Sequence, residues 1–125
     1  MTMAALVGVS VAGAIGAPAR YVVERAITRR GSGSFPRGTF AVNVSGSLVL
    51  GLLAGAALYH GFGGAPRAWL ATGFCGAYTT FSTFGLETIA LAERGERRVA
   101  TIYVAASTVV GCAAAAVGLA VAAAV

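Results

Sequence analysis

Residues 73–87 read Gly73-Phe74-Cys75-Gly76-Ala77-Tyr78-Thr79-Thr80-Phe81-Ser82-Thr83-Phe84-Gly85-Leu86-Glu87. Four hydroxyl side chains fall within the five positions from Thr79 to Thr83, and glycines flank them on both sides. Such a stretch has poor helix propensity, yet it lies at the middle of an apolar run from Trp69 to Leu91. The expectation is a break in a membrane-spanning helix. Irregular backbone at that depth survives only where it is buried in protein or lines a watery cavity, because each unpaired N–H or C=O in hydrocarbon costs several kcal/mol. Carbonyls freed there are ready ligands for a cation. The competing reading is an intact helix whose hydroxyls bond back to carbonyls of the preceding turn.

Working outward, three more stretches reach the ~20 apolar residues that a helix needs to cross about 30 Å of hydrocarbon. The four spans are Ala4 to Val23 (4–23), Thr39 to Tyr59 (39–59), Trp69 to Leu91 (69–91) and Val99 to Val125 (99–125). The first is interrupted near its end by Pro18 and Arg20. In a chain of 125 residues, spans and short loops form one transmembrane domain over 1–125. Apolar residues make up 58% of it, with nine basic and four acidic side chains and a mean hydropathy of +0.82, against roughly a quarter charged in a soluble domain. The composition excludes a soluble fold. The fold class is an all-α membrane protein of four transmembrane helices, the third broken. The N-terminus carries no basic n-region, so the first span reads as retained rather than as a cleaved signal. No phosphate-binding loop of the Walker type appears, which argues against ATP-driven pumping by this chain.

Every basic residue is Arg and every acid is Glu. The loops run from Glu24 to Gly38, from His60 to Ala68 and from Ala92 to Arg98. Loop one carries Arg25, Arg29, Arg30 and Arg37, loop three carries Arg94, Arg97 and Arg98, and loop two carries only Arg67. Seven against one is the skew that the positive-inside rule reads as orientation, with loops one and three cytoplasmic and both termini outside. Arginines in short loops between apolar runs face a lipid bilayer and form no nucleic-acid stripe. Glycines recur in every span, with Gly51 and Gly55 at GxxxG spacing, as expected where helices associate in lipid by close backbone approach. Four thin helices enclose little polar volume, which points to an oligomer with a pathway shared between subunits.

Phe81 and Phe84 are three apart and share a helix face. An aromatic ring has a positive edge, and Ser82 and Thr83 beside the rings offer hydroxyl donors. Together they can receive a small anion without a full positive charge, and conduction needs a site weak enough to release the ion. Asn43, about one turn into the second span, must be partnered or face the pathway. Its NH₂ can donate to an anion or act as interhelical glue. Tyr103 and Ser107 lie i, i+4 on one stripe of the fourth span. Arg20 can concentrate anions at a mouth or snorkel to the headgroups; Glu87, like Arg20, is an ionisable residue close to the end of a span. Cys75 and Cys112 read as packing residues, and His60 as interfacial. No nucleophile–base pair, metal cluster or paired carboxylates appear, so the chain is not expected to be an enzyme.

At this point the residues resemble a known family. The run from Gly73 to Glu87, Gly38-Thr39-Phe40-Ala41-Val42-Asn43-Val44-Ser45-Gly46-Ser47, and Gly13-Ala14-Ile15-Gly16-Ala17-Pro18-Ala19-Arg20-Tyr21 are similar to signatures of the bacterial Fluc (CrcB) fluoride channels, and they fall in the family's order. The resemblance implies a passive, fluoride-selective export channel in the plasma membrane, assembled as an antiparallel, dual-topology dimer with two pores. Carried over by position, Phe81 and Phe84 present ring edges to fluoride, Ser82 and Thr83 line the route, and Asn43, Tyr103 and Ser107 donate along it. Arg20 takes a vestibule position. The resemblance also implies a structural Na⁺ at the dimer interface, with the carbonyls of Gly76 and Thr79 matching its ligands. Gly85 departs from the family, where many relatives have Ser.

The arginine skew adds a further expectation. A chain that dimerises antiparallel with itself must insert both ways, which calls for balanced charge; seven against one suggests pairing with an oppositely oriented paralogue. Two other functional classes remain as alternatives: a small proton-coupled multidrug-type exporter, which would need a carboxylate near the middle of its first span, and a non-transporting membrane assembly subunit.

Overall fold

The computed structural model describes residues 2–125, and among them the chain is helical with no strand. Helix α1 (Met3–Arg30) begins where the Thr2 hydroxyl accepts a bond from the Ala5 N–H at 3.2 Å, satisfying one of the donors that a helix start leaves unpaired. The sequence reading ends this span at Val23, but the helix continues for two further turns. No glycine or proline falls between Val23 and Gly31, arginine is a good helix former, and Arg29 and Arg30 sit at the negative end of the helix dipole. Arg25, Arg29 and Arg30 therefore stand on α1 and not in a loop. Pro18 lies inside the helix without ending it; it removes one backbone donor and leaves the Ala14 carbonyl without its i+4 partner.

Helix α2 (Arg37–His60) and helix α6 (Arg97–Ala124) make the most extensive pairing in the molecule. Their backbones touch at glycines. A Cβ added to Gly51 would overlap the Ala115 carbonyl, and one added to Gly118 would overlap the Leu48 carbonyl and lie 2.7 Å from the Leu52 nitrogen. Lipid supplies no hydrophobic drive between helices, so this approach is what holds them. At their far ends His60 Nε2 meets the Ala122 carbonyl at 2.7 Å, engaging one of the orphan carbonyls of the α6 terminus.

Between these two runs the third stretch: helix α3 (Gly64–Ala68), a π-helical segment (Trp69–Cys75), helix α4 (Gly76–Tyr78), two extended residues, and helix α5 (Phe81–Glu93). The break is where the hydroxyl-rich run predicts it. The π-helical turns carry no such sequence signal; they pack along α1, with Trp69 filling the notch that Gly8 leaves. Among the described residues only α1, α2 and α6 are each long and apolar enough to cross a membrane alone, because the interruption divides the third stretch into shorter pieces.

The connection 31–36, the start of α2 and the last turns of α5 close around one cavity, so Arg25, Arg29, Arg30, Arg37, Arg94, Arg97 and Arg98 gather at one end of the bundle. Arg67, in the last turn of α3, lies toward the other. Most large apolar side chains on the outer faces are exposed, Ile15, Leu58 and Val109 among them.

Candidate functional site

The break is a wired structure. Thr79 and Thr80 are extended, at φ −81°, ψ 159° and φ −148°, ψ 121°. Thr79 turns both its N–H and its hydroxyl to the Cys75 carbonyl, each at 2.9 Å. The Thr80 hydroxyl caps α5, accepting from the Thr83 N–H at 3.2 Å and donating to Thr83 Oγ1 at 3.0 Å, the arrangement that favours Thr at a helix start. From α2, Asn43 grips the same residue twice: its Nδ2 donates to the Thr80 carbonyl at 2.9 Å and its Oδ1 accepts from the Thr80 N–H at 2.8 Å. The intact-helix reading is excluded by these dihedrals. The glue reading of Asn43 describes what its amide does here, and one of its two amide protons remains free.

This wiring diverts donors from the helical ladder. The Thr80 N–H would serve the Gly76 carbonyl in a continuous helix but goes to Asn43, and the Thr83 N–H would serve the Thr79 carbonyl but goes to the Thr80 hydroxyl. The carbonyls of Gly76 and Thr79 are thereby released from those bonds. Beside them a groove of about 230 Å³ is lined by Asn43, Ser47, Leu50, Thr79, Thr80 and Phe81.

From the groove an aromatic run leads to the arginine-rich end. Phe81 and Phe84 have ring centroids 5.9 Å apart, Phe84 and Tyr103 5.1 Å, and Tyr103 and Phe35 5.4 Å with the planes near perpendicular at 89°. Phe81 is 84% exposed, whereas Tyr103 is wholly buried. The Tyr103 hydroxyl donates to Glu87 Oε2 at 2.8 Å, and Thr39 donates to Glu87 Oε1 at 2.9 Å. Glu87 thus joins α2, α5 and α6, and it borders the cavity of about 290 Å³ that the connection 31–36 closes. Hydroxyl donors to both oxygens suit an ionised carboxylate.

Of the residues singled out by sequence, Asn43, Thr79, Phe81, Phe84, Ser82 and Thr83 are brought together at the break, and Tyr103 joins them through Phe84. Ser82 shares its hydroxyl with that of Thr80 at 3.3 Å. Ser107 lies one turn beyond Tyr103 on α6, its hydroxyl oxygen buried without a hydrogen-bond partner among the described residues. Arg20 stands half-buried on α1, one turn before Glu24. Sequence reasoning missed Thr80 as the hub of the break, Phe35 as the end of the aromatic run, and the junction of Thr39, Glu87 and Tyr103. Glu87 lies six residues short of the end of α5; a carboxylate held that far inside an apolar helix is the signal that points to it.

Over residues 7–119 the chain matches the family described as CrcB-like protein, Camphor Resistance (CrcB). It is 50% identical over 121 residues to the fluoride-specific ion channel FluC 1 of Frankia casuarinae, covering 90% of this chain and 91% of that protein. It is 47% identical over 118 residues to the fluoride-specific ion channel FluC 2 of Mycolicibacterium paratuberculosis, covering 94% and 93%. With the fluoride-specific ion channel FluC of Methylobacterium nodulans it shares 44% identity over 123 residues, covering 96% and 94%.

Proposed function

The chain belongs to the CrcB family, and from that premise we propose that it is a passive, fluoride-selective channel that lets cytoplasmic fluoride leave the cell. It is an ion channel and not an enzyme, and a multi-pass membrane protein. The observation that carries the proposal is the break at Thr79–Thr80, which Asn43 holds open beside two phenylalanines inside an apolar bundle.

Hydrogen fluoride enters a cell as the neutral acid and dissociates inside, so a passive path for the anion, driven by a negative interior, suffices to remove it. The path must replace the ion's water without trapping it. The ring edges of Phe81 and Phe84 supply weak positive potential, and Thr83, the free amide proton of Asn43 and the Ser107 hydroxyl supply uncharged donors; Ser82 and Tyr103 line the route with their hydroxyl protons engaged by Thr80 and Glu87. Arg20 raises the local anion concentration at a mouth. Nothing in this sequence of contacts binds a lone full charge to fluoride.

The working unit in this proposal is an antiparallel dimer. Phe81 is largely exposed on a single chain, and the groove beside it is open, so a second subunit is what completes the lining. The third crossing of the bilayer is then made jointly by 64–78 and α5. The released carbonyls of Gly76 and Thr79 fit a structural Na⁺ at the dimer axis, since hard oxygen dipoles suit a hard cation; such an ion would neutralise the backbone dipoles turned toward the partner. Gathering of seven arginines at one end supports a fixed orientation and, with it, pairing with an oppositely oriented paralogue.

Efflux from liposomes, followed with fluoride and chloride electrodes, tests the proposal. Rapid fluoride release with chloride retained is expected from the chain reconstituted with its paralogue. Absence of fluoride release both alone and in that pair would overturn it, and full activity of the chain alone with termini accessible from both sides would remove the paired-paralogue reading.

A further inference from the structure

Helix α1 has a packed face and an outer face that ends in arginine. On the packed side a Cβ at Gly16 would overlap the Phe74 carbonyl. At about 100° per residue, Arg25 and Val7 point directly away from Gly16, and Ile15, Tyr21, Val22 and Arg29 lie within roughly 80° of them. Val7, Ile15, Tyr21 and Val22 are each more than half exposed, so an apolar stripe runs along the outside of the bundle into a tyrosine and two arginines. The 28 residues of α1 make a helix about 42 Å long, against about 30 Å of hydrocarbon. With the stripe filling the hydrocarbon, the turns from Arg25 onward stand in the headgroup layer.

There Tyr21, Glu24, Arg25, Thr28 and Arg29 line a surface groove of about 380 Å³. Arg25 is held in place, donating from Nη1 to the Tyr21 hydroxyl at 2.7 Å with its guanidinium carbon 5.7 Å from the ring centroid. Tyr21 accepts that bond and keeps its own proton to donate. Among the described residues the ion pair is between Arg94 and Glu96, so neither Arg25 nor Arg29 is neutralised by a carboxylate. Glu24 borders the groove, but its Oε1 is buried.

We propose that this groove binds the phosphodiester headgroup of an anionic phospholipid of the phosphatidylglycerol type, with the acyl chains lying along Val22 and Ile15. The planar forks of Arg25 and Arg29 match phosphate oxygens, and the Tyr21 hydroxyl supplies a third donor. The continuity of the groove with the apolar stripe favours lipid over free phosphate, because inorganic phosphate would leave that stripe uncovered. This inference does not depend on which ion the channel conducts.

Native mass spectrometry of the purified full chain, delipidated and then titrated with phosphatidylglycerol or phosphatidylcholine, tests it. Wild type is expected to retain phosphatidylglycerol preferentially, losing affinity by about fivefold for each arginine neutralised, and to unfold at a temperature that rises with the phosphatidylglycerol fraction of the micelle. R25Q/R29Q loses both effects and R25K/R29K keeps the preference in part, while R67Q, at the other end, behaves as wild type. Millimolar inorganic phosphate should not displace the lipid. Equal retention of the two lipids by wild type, wild-type retention by R25Q/R29Q, or displacement by phosphate would each overturn the proposal. So would efficient disulfide cross-linking between copies carrying Val11→Cys with Cys112→Ser in phosphatidylglycerol vesicles, since a second copy would then cover the exposed stripe of α1.

Discussion

The α2–α6 pair and the broken third stretch are built from the same residue types, glycine and small hydroxyl side chains, and use them to opposite ends. In the pair, Gly51 and Gly118 remove side chains where backbones cross, and the helices stay intact. Ser47 and Thr108 merely bond back to the carbonyl one turn earlier, as hydroxyls in a continuous helix do. In the third stretch Thr80 meets a partner on another helix, and its backbone leaves the helical ladder for Asn43. Small residues close a bundle where nothing competes for the backbone, and the same residues open it where a buried amide does.

The comparison breaks most completely at Gly118. Replacement by Leu drives a side chain into the Leu48 carbonyl and the Leu52 nitrogen, at a cost of about 3 kcal/mol; denaturant unfolding in micelles should show the loss, with fluoride release abolished. Asn43→Ala comes next. It orphans the Thr80 N–H and removes the second donor to the Thr80 carbonyl, which still accepts the first bond of α5, costing about 2–3 kcal/mol, and fluoride release should fall by at least about tenfold. If Asn43→Ala unfolds like wild type, the amide is not what holds the break. Tyr103→Phe is milder, about 1–2 kcal/mol by unfolding, because the ring keeps its contacts with Phe35 and Phe84 while only Glu87 Oε2 loses a donor. Adding Thr39→Val removes the donor to the other oxygen, and a loss in the double variant that exceeds the sum of the two single losses would identify Glu87 as their shared anchor.

These differences also explain what could be read in advance. The break was legible because its cause is local: four hydroxyls in five residues weaken a helix wherever they fall. The tether was half legible. Asn43 announces a buried polar group in need of a partner, but the partner lies 37 residues away and is fixed only when α2 packs beside the third stretch. The reach of α1 past Val23 was hidden because arginines signal a membrane boundary and also prolong a helix. Glu87 was noticed as an ionisable residue, but its donors Thr39 and Tyr103 come from two other helices, and no spacing within one segment links them. The aromatic run joins Phe35 in a connection to rings on α5 and α6 by the same kind of meeting.

The smallest change in stability should belong to Phe81→Ile, and it separates folding from conduction. The ring is 84% exposed on one chain and touches Phe84 at a tilted 5.9 Å, so replacing it with another large apolar side chain should move single-chain unfolding by no more than about 0.5 kcal/mol. The thermodynamic change is small because lipid or a partner subunit meets isoleucine as readily as phenylalanine. The electrostatic change is not small, since isoleucine has no quadrupole and offers an anion no positive edge. Fluoride release should therefore fall by about tenfold or more while assembly, followed by size-exclusion chromatography, stays as in wild type. A variant that conducts like wild type would take the Phe81 ring out of the pathway and leave the break as a packing device like the glycine crossing of α2 and α6.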